Sequence, residues 1–78
     1  MPISVKLFAG LRMRHGDSLS LDLQPPITVK ELISELQKKN CWIEGSRIAL
    51  DQRFAKETDV IESGAEIAVI PPVSGGNL

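Results

Sequence analysis

Hydrophobic and polar residues alternate in two stretches near the start of the chain. Every second residue is aliphatic in residues 3–9 (ISVKLFA) and in residues 18–23 (SLSLDL). A period of two is typical of strands with one buried face. We therefore expect two strands that form an antiparallel hairpin, with residues 10–17 making a turn longer than the tightest type.

The spacing of apolar residues changes to that of a helix over residues 28–39 (TVKELISELQKK). The apolar positions recur at i, i+3, i+4 and i+7: Val29, Leu32, Ile33 and Leu36. Thr28 and Glu31 have the spacing of a capping box, in which each side chain accepts a hydrogen bond from the other residue's backbone amide. This segment is predicted to be the main helix.

The second half of the chain contains shorter apolar runs. Residues 46–50 and 66–70 are predicted strands, residues 53–55 form a further short strand, and a loop between them inserts Val60 or Ile61 into the core. The order β-β-α-β-β, with the first and last strands side by side at the centre, is that of the β-grasp fold. The fold class predicted is α+β, ubiquitin-like, with a mixed sheet of four to five strands packed on one main helix.

Composition narrows the class of protein. The chain has 78 residues, which is enough for one domain; we expect a β-grasp domain over residues 1–72 and a flexible C-terminal segment over residues 73–78. A net charge of −1 and only three aromatic residues argue against nucleic-acid binding. No apolar run is long enough to span a membrane, and we expect a cytoplasmic protein.

Few side chains outside the C-terminus suggest chemistry. The single cysteine, Cys41, excludes an internal disulfide and a multi-cysteine metal site, and it is predicted to fill the core. His15 is expected to be solvated. The charged residues that could mark a site are predicted to be solvated surface instead, so no metal site is expected: Arg12, Arg14, Arg53, Asp59, Glu62 and Glu66.

The last strand runs into the most distinctive stretch, SGAEIAVIPPVSGG, which ends at Gly76. Together with the opening VKLFAGLRMRHG and the helix TVKELISEL, this ending resembles the small subunits of molybdopterin synthase, a family of ubiquitin-like sulfur carriers. The resemblance covers nearly the whole chain. A Gly-Gly pair alone is weak evidence for this family. Here the pair follows an apolar strand and the residues Pro-Pro-Val, and this combination makes the match specific.

The resemblance implies a mechanism centred on Gly76. An adenylating partner enzyme uses ATP to convert the terminal glycine carboxylate to an acyl adenylate, and a sulfur donor then replaces AMP to give a thiocarboxylate. The segment enters the catalytic large subunit, in an expected heterotetramer, and gives its sulfur to cyclic pyranopterin monophosphate. The chain itself is then a non-catalytic subunit that binds no cofactor.

The residues before Gly76 suit this role physically. Pro71 and Pro72 cannot donate ladder hydrogen bonds, so they end the strand and stiffen the exit. The four residues that follow, Val73, Ser74, Gly75 and Gly76, can reach about 13 Å at about 3.3 Å per residue, which is enough to thread a narrow tunnel. Glycines without Cβ allow close approach of the backbone to a nucleotide.

Two residues depart from the family pattern. Asn77 and Leu78 follow Gly76, so Gly76 carries a peptide carbonyl rather than a carboxylate. Either a processing protease removes the dipeptide from a precursor, or the two residues were added to the natural chain, or the protein does not carry sulfur. Removal of a precursor dipeptide is the favoured interpretation.

A docking surface is expected beside the C-terminal segment. Phe8, Ala68 and Ile70 lie on the sheet face opposite to the residues predicted to face the helix. Parallel pairing of the first and last strands places Phe8 and Ile70 at the same end of the sheet, where they would form an apolar patch. The alternative is that residues 51–58 cover them.

Three other functions remain open. A carrier of the same fold that supplies sulfur for thiamine or cysteine synthesis is the nearest rival. A ubiquitin-like modifier joined through Gly76 to lysines is a second, and a β-grasp interaction module with an inert C-terminus is a third.

Overall fold

The computed structural model describes residues 3–72, which form seven strands and two helices. In chain order these are β1 (Ile3–Leu7), α1 (Ala9–His15), β2 (Ser18–Leu21), β3 (Ile27–Thr28), α2 (Val29–Lys38), β4 (Arg47–Leu50), β5 (Arg53–Phe54), β6 (Val60–Ile61) and β7 (Ile67–Ile70).

The main sheet has the strand order β2-β1-β7-β4-β5. Strand β1 pairs antiparallel with β2 and parallel with β7, so that Leu7 lies opposite Val69. The first and last strands are therefore neighbours at the centre, and the sheet is mixed. The predicted β-grasp fold of class α+β is confirmed.

One face of this sheet forms the core with helix α2. The alternate residues of β1 are buried, and so are their counterparts on β7. From the helix, Val29, Leu32 and Leu36 are at most 1% exposed and join the same cluster. Cys41 is buried there as well, which confirms its predicted place in the core.

The start of α2 is fixed by a complete capping box. The Glu31 backbone N–H donates to Thr28 Oγ1 at 3.1 Å, and the Thr28 N–H donates to Glu31 Oε1 at 2.8 Å. Two further amides of the first turn, which no helical carbonyl can reach, donate to the Asp59 and Glu57 carbonyl oxygens. The loop around residues 57–59 therefore completes the cap.

Replacing Thr28 with alanine is expected to lower the free energy of unfolding by about 1 kcal/mol, because the Glu31 amide loses its partner. Urea unfolding followed by circular dichroism measures the change. Thr58→Ala is a matched control, since Thr58 is exposed in a turn; it is expected to change stability by less than about 0.5 kcal/mol. Equal stability of the two variants would contradict the prediction.

The turn predicted for residues 10–17 is wrong, because a seven-residue helix, α1, occupies most of it. Leu11 is 1% exposed and attaches this helix to the core. Gly16 ends the helix at a φ of 91°, a conformation that favours glycine, and its N–H donates to the Arg12 carbonyl oxygen at 2.9 Å. Strand β1 consequently stops at Leu7, two residues earlier than predicted.

The loop before β7 also contains unpredicted structure. Strand β6 pairs antiparallel with β3, so that Ile61 lies opposite Ile27 in a separate two-stranded sheet. Of the two candidates for the core, Ile61 is fully buried and Val60 is 50% exposed. The insertion into the core was predicted correctly, and the strand pairing was not.

Neither helix in residues 3–72 has the length and apolar character needed to cross a bilayer.

Candidate functional site

The end of β7 leads directly to the two prolines predicted to form the exit. Pro71 is buried and Pro72 is exposed, and neither belongs to a strand. The ring of Pro72 lies against Gly45, because a Cβ placed on that glycine would be 3.4 Å from it. The prolines end the last strand as predicted. The remaining predicted residues of this segment lie outside the described part of the chain: Val73, Ser74, Gly75 and Gly76.

The predicted docking residues Phe8, Ala68 and Ile70 share the sheet face opposite α2. Lys6 pairs with Ala68 and Leu7 with Val69, so the same parallel register brings Phe8 level with Ile70. Phe8 is 43% exposed, whereas Ala68 and Ile70 are half-buried. The structure brings the three together beside Pro71.

These side chains line a shallow groove of about 320 Å³, which we call the outer groove. Its lining residues are Lys6, Phe8, Ala49, Gln52, Phe54, Glu66, Ala68 and Ile70. Ala49 and Ala68 lie opposite each other on β4 and β7 and form a floor of small residues. Residues from the 51–58 segment thus line the groove and leave Phe8 exposed.

Phe54 was not predicted as a site residue. It is 57% exposed and pairs with Ala49, so it lies across the alanine floor from Phe8. A signal was present in the sequence, because Phe54 is an aromatic residue within the short strand predicted over residues 53–55, and the predicted main helix covers one face of the sheet. Phe54 is far from Phe8 in the sequence, so the sequence does not indicate that the two side chains line one groove.

Charged groups border the outer groove. Lys6 Nζ and Glu66 Oε2 are 3.0 Å apart, with both side chains about half exposed, so the pair contributes less than about 1 kcal/mol to stability. The Arg47 guanidinium lies 4.0 Å from the centroid of the Phe54 ring. A cation in that position is attracted by the face of the ring.

The other singled-out charged residues do not gather into a site. Arg12 Nε contacts Asp17 Oδ1 at 2.7 Å, and His15 is exposed near the end of α1. Asp59 Oδ2 accepts the Lys56 backbone N–H in a local turn. Arg14, Arg53 and Glu62 are exposed. Within residues 3–72, no three His, Cys, Asp or Glu side chains are placed to hold a metal ion.

The outer groove has the composition of a binding surface. The described residues supply an apolar groove with small residues at its centre, aromatic residues on both sides and charges at its margin. Such a surface is typical of protein docking sites, where aromatic and arginine side chains are enriched.

The strand order, the central parallel pair and the single main helix define a ubiquitin-like β-grasp protein. A solved structure of SAMP1 from Haloferax volcanii superimposes with a TM-score of 0.74 over 97% of this chain and all of that chain, at 21% identity. At that identity the likeness supports the fold alone.

The sequence comparisons identify the family. The ThiS family model matches residues 5–76, and the chain belongs to the ThiS family. It is 32% identical over 79 residues to a molybdopterin synthase sulfur carrier subunit from Arabidopsis thaliana, covering 95% of this chain and 82% of that protein. It is also similar to a protein in a solved complex of subunits 1 and 2 of molybdopterin-converting factor from Helicobacter pylori 26695. That match has 25% identity and a TM-score of 0.68, and it covers 97% of this chain and 100% of the other.

Proposed function

We propose that this chain is the sulfur carrier subunit of molybdopterin synthase. The observation that carries the proposal is the family match, which includes Gly75 and Gly76. The outer groove supports it, because the groove includes Ile70, which directly precedes the two prolines that lead to these glycines. The relative from Arabidopsis, with 32% identity along almost the whole chain, supports the molybdenum branch of the family over the thiamine or cysteine branch.

In this proposal the reactive group is the Gly76 carboxylate, exposed after a protease removes Asn77 and Leu78. A carboxylate is a poor electrophile, so an adenylating partner first joins it to AMP from ATP and releases pyrophosphate. A sulfur donor then displaces AMP and leaves a thiocarboxylate. The loaded chain delivers this sulfur to cyclic pyranopterin monophosphate in the active site of the large subunit.

The chain contributes position and access rather than catalytic groups. Pro71 and Pro72 lead into this segment beside the outer groove; each proline ring restricts φ, and neither residue has a backbone N–H to donate to a strand ladder. From Val73 to Gly76 an extended chain reaches about 13 Å. If the β-grasp domain docks on the large subunit through the outer groove, the extended segment can therefore place Gly76 inside the active site of that subunit, and the domain need not move.

The outer groove is proposed to bind the large subunit. Phe8, Phe54 and Ile70 supply apolar area near the root of the segment, and interfaces commonly draw most of their affinity from a few such residues. The complex of two subunits described for the Helicobacter pylori protein supports a two-protein assembly, and we propose a heterotetramer.

Sulfur loading tests the proposal. A chain ending at Gly76 is incubated with the adenylating enzyme, ATP and a sulfur donor, and its intact mass is measured. We expect a mass increase equal to the exchange of one oxygen for one sulfur, with no increase when ATP is omitted. A chain that also lacks Gly76 is the matched control.

Transfer then separates the proposal from its rivals. The loaded chain mixed with the large subunit should convert cyclic pyranopterin monophosphate to molybdopterin, with loss of the added sulfur. A loaded chain that supplies only thiazole or cysteine synthesis would overturn the molybdenum assignment. A chain joined through Gly76 to lysine side chains, without a thiocarboxylate, would identify a modifier.

A further inference from the structure

Arg47 occupies a defined position at the margin of the outer groove. It lies on β4 directly opposite Ile70, the last residue of β7, and its side chain is on the same sheet face as Ala49. Its guanidinium is 4.0 Å from the Phe54 ring centroid. Contact with the ring restricts the cation, so that a positive charge is held beside Phe54 at the margin of the groove.

The charges around the groove are not balanced equally. Lys6 is paired with Glu66 at 3.0 Å, whereas Arg47 forms no ion pair with a carboxylate belonging to residues 3–72. A partner that covers the groove must remove water from this guanidinium. Removing a charge from water without a compensating group is costly, and a carboxylate opposite it offsets that cost.

We propose that Arg47 strengthens docking by binding a carboxylate on the docking surface of the large subunit, an inference that rests on the docking proposed above. The matching surface has an apolar side chain that enters between Phe8 and Phe54 and an Asp or Glu beside it. The planar guanidinium can donate two parallel hydrogen bonds to that carboxylate while its face stays on the Phe54 ring.

Three variants test the role of the charge by calorimetric titration with the large subunit. Arg47→Gln is expected to weaken binding about tenfold at low ionic strength. Arg47→Lys keeps the charge without the planar fork, so its affinity should fall between those of the unmodified chain and Arg47→Gln. The loss should shrink as salt is added, because ions screen the pair.

Arg53→Gln is the matched control. Arg53 is on the adjacent strand β5, but its position alternates with Phe54 and it does not line the groove. Its substitution should change affinity by less than about twofold. Unchanged melting temperatures show that each variant is folded.

Cross-linking locates the partner group. In the Arg47→Lys variant, a carbodiimide can join the new amine to a carboxylate in contact with it, forming an amide while the carboxylate oxygen leaves with the reagent. Mass spectrometry should find a peptide of the large subunit linked at position 47, and none linked at position 53 in Arg53→Lys.

The outcomes separate this inference from the docking on which it rests. Loss of binding in Ile70→Asp together with wild-type affinity of Arg47→Gln, or with no cross-link at position 47, overturns the role of Arg47 and leaves the groove as the docking site. Wild-type affinity of both Ile70→Asp and Phe8→Asp overturns both. A tenfold, salt-dependent loss in Arg47→Gln with the cross-link at position 47 supports the inference.

Discussion

Replacing Ile70 with aspartate is expected to weaken binding to the large subunit of molybdopterin synthase at least about hundredfold. The side chain is half-buried in the outer groove next to Pro71, so the partner would have to cover a carboxylate in an apolar contact. Removing a carboxylate from water costs free energy even though Arg47 lies opposite position 70, because the attraction between two desolvated charges often fails to repay that cost. Calorimetric titration of the purified proteins measures the loss.

The fold should survive this change because position 70 is on the outer face. The adjacent Val69 is fully buried on the core face, while Ile70 already contacts solvent. Val60→Asp is the matched control: this β-branched residue is 50% exposed on the separate sheet, and its substitution should leave affinity unchanged. Phe8→Asp gives a second test at a 43% exposed site. Native melting curves with wild-type affinity in both groove variants would refute docking through this face.

The elements predicted well from sequence are those whose burial repeats regularly. Strand β1 alternates between buried and exposed residues throughout, and three of the four apolar positions of α2 are buried in one stripe. A regular period in the sequence indicates an element with one buried face. β1 and α2 could be predicted because each contacts the core through one face.

Helix α1 could not be predicted in the same way. Its apolar residues do not form a stripe, since Leu11 is buried while Met13 is 89% exposed. A helix of seven residues is not stable by itself, so this one depends on the contact of Leu11 with the core. Strands β3 and β6 have two residues each, which is too short for a period to be recognised.

The residues of the candidate site also differ in whether local periodicity could predict them. Phe8, Ala68 and Ile70 were placed on the outer face from alternation and one assumed strand pairing. Phe54 and Arg47 required a further long-range pairing, that of β4 with β7, and the return of the chain through β5. The sequence contains no local pattern that reports which strand lies beside another.

The chain that retains Asn77 and Leu78 is expected to take up no sulfur, whereas the chain ending at Gly76 is loaded. Adenylation requires a carboxylate oxygen to attack ATP, and in the longer chain the Gly76 carbonyl belongs to a peptide bond, whose resonance leaves no such oxygen. The C-terminal carboxylate of that chain is on Leu78, whose side chain a site adapted to glycine would exclude. The expected difference is therefore complete loss of loading rather than a reduced rate.

Intact-mass analysis of the two chains, treated side by side with adenylating enzyme, ATP and sulfur donor, measures this difference. Addition of cell extract from the native host provides the control for processing: the longer chain should first lose the mass of Asn77 and Leu78 and only then gain sulfur. The same order should hold in cells, where molybdopterin synthesis would depend on the trimming peptidase. A thiocarboxylate found on a chain that still contains both residues would show that the sulfur is not carried on Gly76.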